Sequence, residues 1–436
     1  MSMVKKEIIA KWEDVLNESS AGCPAITNPE IAAVTAQLLE NTDKAYSSGL
    51  FENVPSGLSE AAPTSNTGNV KNYDPVLISL LRRAAPKLIG YEIMGTQAMT
   101  GPTGQIFAMR SRYTSNTGAE AFYNEANTGF STINGGNTEI VGDAGLNLGT
   151  TPTGNAETYN AAGAMSLAQA EALGTSGNAA FAEMTVTIEQ LSVTAGSRKL
   201  KAHYTHEFAQ DLKAIHGLEA EKELSNVLST ELVSEINRQL VRTCYLTSSA
   251  GATSGTTTAG IFDLDTDSNG RWMGEKFAGL HFFIDLEANA IAKSTRRGKG
   301  NVLITSSNVA SALQMAGVLK FNDAAASLTI DDTGVSYAGM INNKIKVFID
   351  PYATSDYIVL GYKGANSWDA GMYYCPYTPL QMVRATETGS LTPVIGFQTR
   401  YGLVANPFSR GATASDGSMM ANSNVYYRRT AIANIQ

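Results

Sequence analysis

The sequence predicts an α+β fold with a mixed sheet, on three observations. From Gly217 to Tyr245 the residues Leu218, Leu224, Val227, Leu228, Leu232, Ile236 and Leu240 recur at three- and four-residue steps, the period of one helix face. Short strand-like runs, Val302–Thr305, Lys346–Ile349 and Tyr357–Leu360, share the chain with helical patterns over 275–297 and 307–316. With 436 residues, 43% of them hydrophobic, the chain has material for a large core and room for two or three domain-sized units.

The elements follow in order. Val4, Ile8, Trp12, Val15 and Leu16 line one face of a first helix. A second opens with Asn28 as cap, Pro29 in the first turn and Glu30 at the positive helix end, and carries Ile31, Val34, Leu38 and Leu39 as its stripe. After Glu60 the texture changes to Ala61-Ala62-Pro63-Thr64-Ser65-Asn66-Thr67-Gly68-Asn69, small and polar, which reads as a linker or an accessible cleavage site. Asp74-Pro75 begins a short amphipathic helix closed by Pro86. From Tyr91 to Tyr113 the pattern suggests a β-hairpin turning at Gly101-Pro102-Thr103-Gly104. Residues 114 to about 180 are rich in Gly, Asn, Thr and Ala and read as an inserted loop-rich lobe. Strands resume at Met184–Ile188 and Leu191–Thr194. The helix from Gly217 is a rod of roughly 43 Å, long enough to cross a whole domain as its spine. The helix over 275–297 buries Phe277, Leu280, Ile284, Ala288 and Ile291 and ends at Gly298.

Charge narrows the function. Lys and Arg total 32 against 40 Asp and Glu, and a formal charge of −8 repels a polyphosphate backbone, which argues against sequence-specific nucleic-acid binding. The first 60 residues carry 4 − 9 = −5 of that charge and the remainder 28 − 31 = −3. Charged residues are only 17% of the chain, below the roughly 25% usual in a soluble domain. A surface of short uncharged side chains loses less entropy and meets less repulsion when two surfaces join, so the composition suits a protein that assembles. Cys23, Cys244 and Cys375 are too few and scattered for a disulfide framework or a zinc site and are expected as buried thiols. No signal peptide and no membrane-spanning run is read, so folding in a cytoplasm is expected.

The candidate chemistry is thin. Asp265-Thr266-Asp267-Ser268-Asn269-Gly270 matches the first half of a calcium loop, but the twelfth position is Lys276 where a bidentate Glu is needed, so an Asx-rich turn capping the next helix is expected. His203 and His206 could share a helix face as metal ligands, yet a third ligand is missing and structural or surface histidines are expected. Gly298-Lys299-Gly300-Asn301 precedes a strand, whereas a phosphate-cradling loop follows one. No catalytic residues, cofactor or metal are assigned, and no enzyme is predicted.

Several strings then stand together: Leu80 to Ile89 (LLRRAAPKLI), Pro102 to Arg110 (PTGQIFAMR), Ser197 to Ala202 (SRKLKA), Ala209 to Gly217 (AQDLKAIHG), Arg271 to Glu275 (RWMGE), Gly361 to Gly364 (GYKG) and Thr399 to Phe408 (TRYGLVANPF). Collinear from about residue 75 onward, they make the chain resemble the major capsid proteins of T-even-type tailed bacteriophages. The resemblance implies the tailed-phage capsid fold, with N-arm, extended β-hairpin loop, long spine helix, axial and peripheral domains and a small insertion domain. It implies a propeptide over 1–60 and an N-arm over 61–90. The extended loop would span 91–120 and 181–205, and the insertion lobe 121–180. A peripheral domain with the spine helix would occupy 206–250, an axial domain 251–390 and the peripheral return 391–436.

The same resemblance implies cleavage by a prohead protease after Glu in a Leu/Ile-x-Glu context. Leu58-Ser59-Glu60 stands at the composition break, so the mature chain would start at Ala61. Leu38-Leu39-Glu40 also fits but falls in a helix, where a protease needing extended backbone has poorer access. The implied partners are copies of the chain in hexameric capsomers, a vertex protein, an internal scaffold, the protease, decoration proteins and enclosed double-stranded DNA bound without sequence specificity, with no membrane. The implied location is the virion capsid, assembled in the bacterial cytoplasm. The competing expectations are the pentameric vertex protein of the same fold and a bacterial shell protein that encloses cargo enzymes.

Overall fold

The computed structural model describes residues 3–17, 26, 28–47, 87–122, 130–133, 167–176 and 180–435, apart from 254, 269, 271, 318, 322–335, 388, 390, 391 and 412–414. It divides into two compact units: a body of Met1–Gln105, Ser192–Arg410 and Ser415–Gln436, and a smaller unit of Ile106–Leu191 with Gly411–Ala414. The helix Asp74–Pro86 expected from sequence lies outside the described residues, as does most of 114–180.

The body is built on an eight-stranded mixed sheet. Its strands are β5 (Ser248–Ala250), β6 (Ile261–Asp263), β7 (Val302–Ser306), β8 (Leu319–Phe321), β9 (Ser336–Ile341), β10 (Ile345–Asp350), β11 (Tyr357–Gly361) and β14 (Asn424–Ala433). They run in the order β5-β14-β11-β7-β10-β9-β8, with β6 also on β14. The β7–β10 pair and the pairings of β14 with β5 and β6 are parallel, the rest antiparallel. Both faces are covered, which is why the central strands read as unbroken apolar runs. Leu303, Val347, Ile349, Ile358 and Leu360 point to one core, filled by Phe277, Leu280, Ile284, Ala288 and Ile291 of the helix Met273–Thr295 and by Val309 and Leu313 of the helix Ser307–Met315. Val302, Ile304, Phe348, Tyr357 and Val359 point to the other, against Ile236, Leu240, Val241 and Cys244.

Those last four residues belong to the spine helix Ala220–Thr247, whose 28 residues give a rod of about 42 Å. Its N-terminal half covers a second sheet. Leu228 and Leu232 pack with Leu380, Ile395 and Phe397, which lie on the four-stranded sheet β1-β12-β13-β4, formed by Gly95–Thr96, Met372–Thr386, Pro393–Ala405 and Gly196–His203. One helix therefore serves both cores, as the unbroken three-four periodicity requires. β12 pairs with β13 and β13 with β4 in the four-stranded sheet, while β14 pairs with β11 in the eight-stranded one.

Two N-terminal helices, α1 (Met3–Asn17) and α2 (Pro29–Ser47), form a hairpin. The Asn28 side chain accepts from the Glu30 backbone N–H at 3.0 Å, the cap that the sequence predicts. In chain order the later helices are α3 (His206–His216), α4 (the spine), α5 (Met273–Thr295) and α6 (Ser307–Met315).

Three local expectations are corrected. Tyr91 to Tyr113 is not a hairpin: Tyr91 sits in the helical turn Gly90–Ile93, Gly95 and Thr96 pair in parallel with Tyr373 and Tyr374, and the strand β2 (Thr103–Tyr113) pairs with β3 (Met184–Thr194). Period-2 patterning identifies a strand without naming its partner. Met184–Thr194 is one continuous strand rather than two. Helix α5 ends on Arg296, which takes the left-handed position at φ 56°, not on Gly298. Gly298 is glycine for another reason, since a Cβ there would lie 2.5 Å from the Tyr362 ring.

Helix α5 separates core from surface on opposite sides of one turn. Leu280→Ala, at a fully buried position, is expected to lower unfolding free energy by about 2–5 kcal/mol in chemical denaturation. Phe282→Ala, 64% exposed, should change it by no more than about 0.5 kcal/mol.

Candidate assembly surfaces

Strands β2 and β3 form a two-stranded antiparallel ribbon. Thr114 donates its backbone N–H to Glu183 O at 2.9 Å at one end, and Ala195 donates to Pro102 O at 2.9 Å at the other. That register places Met109 opposite Ile188.

One face of the ribbon is closed by charge. The Arg110 side chain is fully buried and donates to Glu120 Oε2 at 2.5 Å and to Glu189 Oε2 at 2.9 Å. Arg112 donates to Glu189 Oε1 at 2.9 Å, to Thr187 Oγ1 at 3.1 Å and to the Gly118 carbonyl at 3.1 Å. Burial pushes the Glu120 carboxyl above its ordinary value, while Arg110 pulls it back. A buried pair of this kind is costly to break, because losing one partner strands the other charge in a low-dielectric site. The network therefore holds the strands in one register. Gly118 completes the turn beside it, where a Cβ would meet the Tyr113 carbonyl oxygen at 1.8 Å.

The opposite face is apolar and open. Phe107 is 63% exposed, Met109 68%, Met184 50%, Val186 56% and Ile188 69%. Alternation puts all five on one side of the ribbon. Covering such side chains is worth about 1.5–3 kcal/mol each, so the face is a ready docking surface. In the body, α3 likewise has no buried residue and leaves Phe208 and Ile215 exposed.

Leu58, Ser59, Glu60 and Ala61 lie outside the described residues. The competing Leu38-Leu39-Glu40 lies within α2, with both leucines buried and Glu40 accepting from Lys11 Nζ at 2.6 Å and from Trp12 Nε1 at 3.4 Å. His203 and His206 do not share a helix face: His203 closes β4 and His206 opens α3. In the Asp265–Gly270 turn, Lys276 pairs with Asp265, and Asp267 accepts from Thr257 N at 2.8 Å, Thr257 Oγ1 at 2.7 Å and Asp263 N at 3.0 Å. Protein donors thus occupy these carboxylates. The expected Asx cap of the next helix is corrected, since α5 is capped by Trp272, whose backbone N–H donates to the Glu275 carboxylate at 3.4 Å. Cys244 and Cys375 are free buried thiols, and burial pushes the Cys375 thiol up to about 12. Cys23 lies outside the described residues. Among the described residues no helix is long and apolar enough to cross a membrane.

Comparison with known proteins shows the family to which the chain belongs. The model of the family described as major capsid protein Gp23 matches residues 70–432. The major capsid protein of Serratia phage KSP90 is 37% identical, with 99% of each chain covered, and that of Salmonella phage ViI 36% identical with the same coverage. The capsid vertex protein of Enterobacteria phage T4 is 27% identical, over 54% of this chain and 56% of its own. Among solved structures, the capsid of Myoviridae phage XM1 aligns with a TM-score of 0.40 and 8% identity over 79% of this chain and 91% of that one. The protein is thus a structural component of a phage virion. It belongs to the Gp23 family of major capsid proteins.

Substituting Ile188→Glu should leave subunit stability within about 0.5 kcal/mol of the unmodified chain, because the side chain is already in water. The same change should lower the yield of assembled particles in sedimentation by roughly tenfold or more, as one desolvated carboxylate weakens every copy of the contact.

Proposed function

We propose that the chain builds phage heads from hexameric capsomers, with the open ribbon face seated on a neighbouring copy, around double-stranded DNA held without sequence specificity. The observation that carries this reading is the five-residue apolar face of β2 and β3, which stays exposed among the described residues while the other face is closed by the Arg110–Glu120 and Arg110–Glu189 pairs. The hexamer role is favoured over the vertex role because the major capsid relatives match along 99% of their length and the vertex relative along 56%. A vertex protein, an internal scaffold and decoration proteins are the further partners of such a shell.

Maturation is the second part of the reading. A prohead protease would hydrolyse the Glu60–Ala61 bond, consuming one water and leaving a Glu60 carboxylate and an Ala61 amine. Leu58 and Ser59 would supply the recognised context. What supports Glu60 over Glu40 is access, since Leu38 and Leu39 are buried and helical while residues 61–69 are small and polar. Removing 1–60 takes away 4 − 9 = −5 charges per subunit, which leaves each copy at −3 and lowers repulsion across a shell of like subunits.

Mass spectrometry of the protein in purified particles should find Ala61 at its N-terminus, and Glu60→Ala should retain residues 1–60 in full. Particles whose subunit keeps Met1 without any substitution would contradict the maturation reading.

A further inference from the structure

The hairpin of α1 and α2 is closed on itself. Trp12 and Leu16 are buried with Val34, Ala36, Leu38 and Leu39 in one cluster. Lys11 bridges the helices to Glu40 at 2.6 Å and Asp43 at 3.1 Å. Among the described residues, α2 makes polar contacts with the rest of the body near both its ends. In the first turn, Glu30 lies 3.4 Å from Lys363 Nζ and accepts from Ser367 Oγ at 3.1 Å. Three turns further along, roughly 16 Å by the helical rise, Asn41 Nδ2 donates to the carbonyl of Met99 at 2.7 Å and of Tyr377 at 3.1 Å. Between these points Tyr91 is buried in the hairpin's own apolar cluster, with Leu88 and Ala98 at its edge.

Both anchors are selective. Lys363 is largely buried, also donates to the Tyr91 carbonyl, and needs an anion to complete its shell. The Met99 and Tyr377 carbonyls need a donor, and one amide with two N–H groups serves both. An acid and an amide eleven residues apart on a single helix match the two needs, and 30 and 41 fall near one side of α2 because three helical turns take about 10.8 residues.

We propose that the body carries a specific docking site for the α1–α2 hairpin, formed by Tyr91, Met99, Lys363, Ser367 and Tyr377 and read by α2 through Glu30 and Asn41, and that the connecting chain keeps the site filled. This deepens the maturation reading and rests on it for its biological use: severing the connection turns a permanent occupant into a separable acidic ligand. Within one chain the hairpin meets its site at an effective concentration of order millimolar. After cutting, the same contacts face only the concentration of the fragment itself.

The test uses the full unassembled chain carrying Glu60→Ala, with a recognition sequence for an unrelated site-specific protease replacing residues 52–57. After cutting, the fragment should co-elute with the body in size exclusion at about 100 µM and separate at about 1 µM, the drop that loss of tethering predicts. Glu30→Gln and Asn41→Ala should each weaken retention about fivefold or more, and Glu30→Lys combined with Lys363→Glu should recover part of it. The body should keep its own thermal transition once the fragment has gone. Retention at about 1 µM, unaltered binding by both single variants, or unfolding of the body on release would each overturn the proposal. Because an introduced protease makes the cut, a failure of native processing at Glu60 would contradict the maturation reading and leave this result standing.

Discussion

A two-stranded ribbon has two faces, and among the described residues of this chain only one is covered. On β2 and β3 the covered face is closed by Arg110, Arg112, Glu120 and Glu189, and the apolar side chains Phe107, Met109, Met184, Val186 and Ile188 are left in water. Such an arrangement is unfavourable in an isolated molecule and stabilising once a second surface arrives. The buried ion network explains why the ribbon keeps its form meanwhile. Replacing those charges by apolar residues would make both faces adhesive and leave nothing to select which one docks.

The body answers the complementary demand, for stiffness. Helix α4 crosses both sheets, and four neighbouring polar residues on it fasten strands and backbone around it. Glu235 and Gln239 receive Arg198 of β4 at 2.7 Å each, and Gln239 also accepts from Tyr401 of β13 at 2.5 Å. Asn237 is buried and pairs with the backbone of Lys87 and Ile89 at 2.9 and 3.0 Å. Arg238 meets Asp350 of β10 at 2.6 Å, and Asp350 in turn accepts from Tyr357 at 2.6 Å. Burial and that carboxylate push the Tyr357 phenol above its ordinary range.

Much of this was legible in the sequence, for definite physical reasons. The spine helix, the inner face of α5, strands β7, β10 and β11, and the Asn28 cap all follow from burial periods and capping chemistry that depend only on the chain itself. Pairing was less legible. β2 has its partner in β3, some 80 residues on, and nothing local to Gly101–Gly104 announces that. Met184, Val186 and Ile188 alternate as an inward-facing strand would, yet they are exposed in this chain. The signal was present in the low charge content and in Phe107 and Met109 flanking small Ala108, but an inside–outside rule applied to one chain inverts its sense. The left-handed Arg296 and the separation of His203 from His206 depend on where neighbouring elements stop, and spacing alone does not fix that.

The central claim is that the ribbon's apolar face is an interface between copies, and Met109 and Met184 report on it directly through oxidation of their thioethers. Peroxide footprinting read by mass spectrometry should find both methionines reactive in the unassembled subunit and protected about tenfold or more in assembled shells, with buried Met372 slow in both. Equal reactivity of Met109 and Met184 before and after assembly would show that face still in water, and would contradict the account.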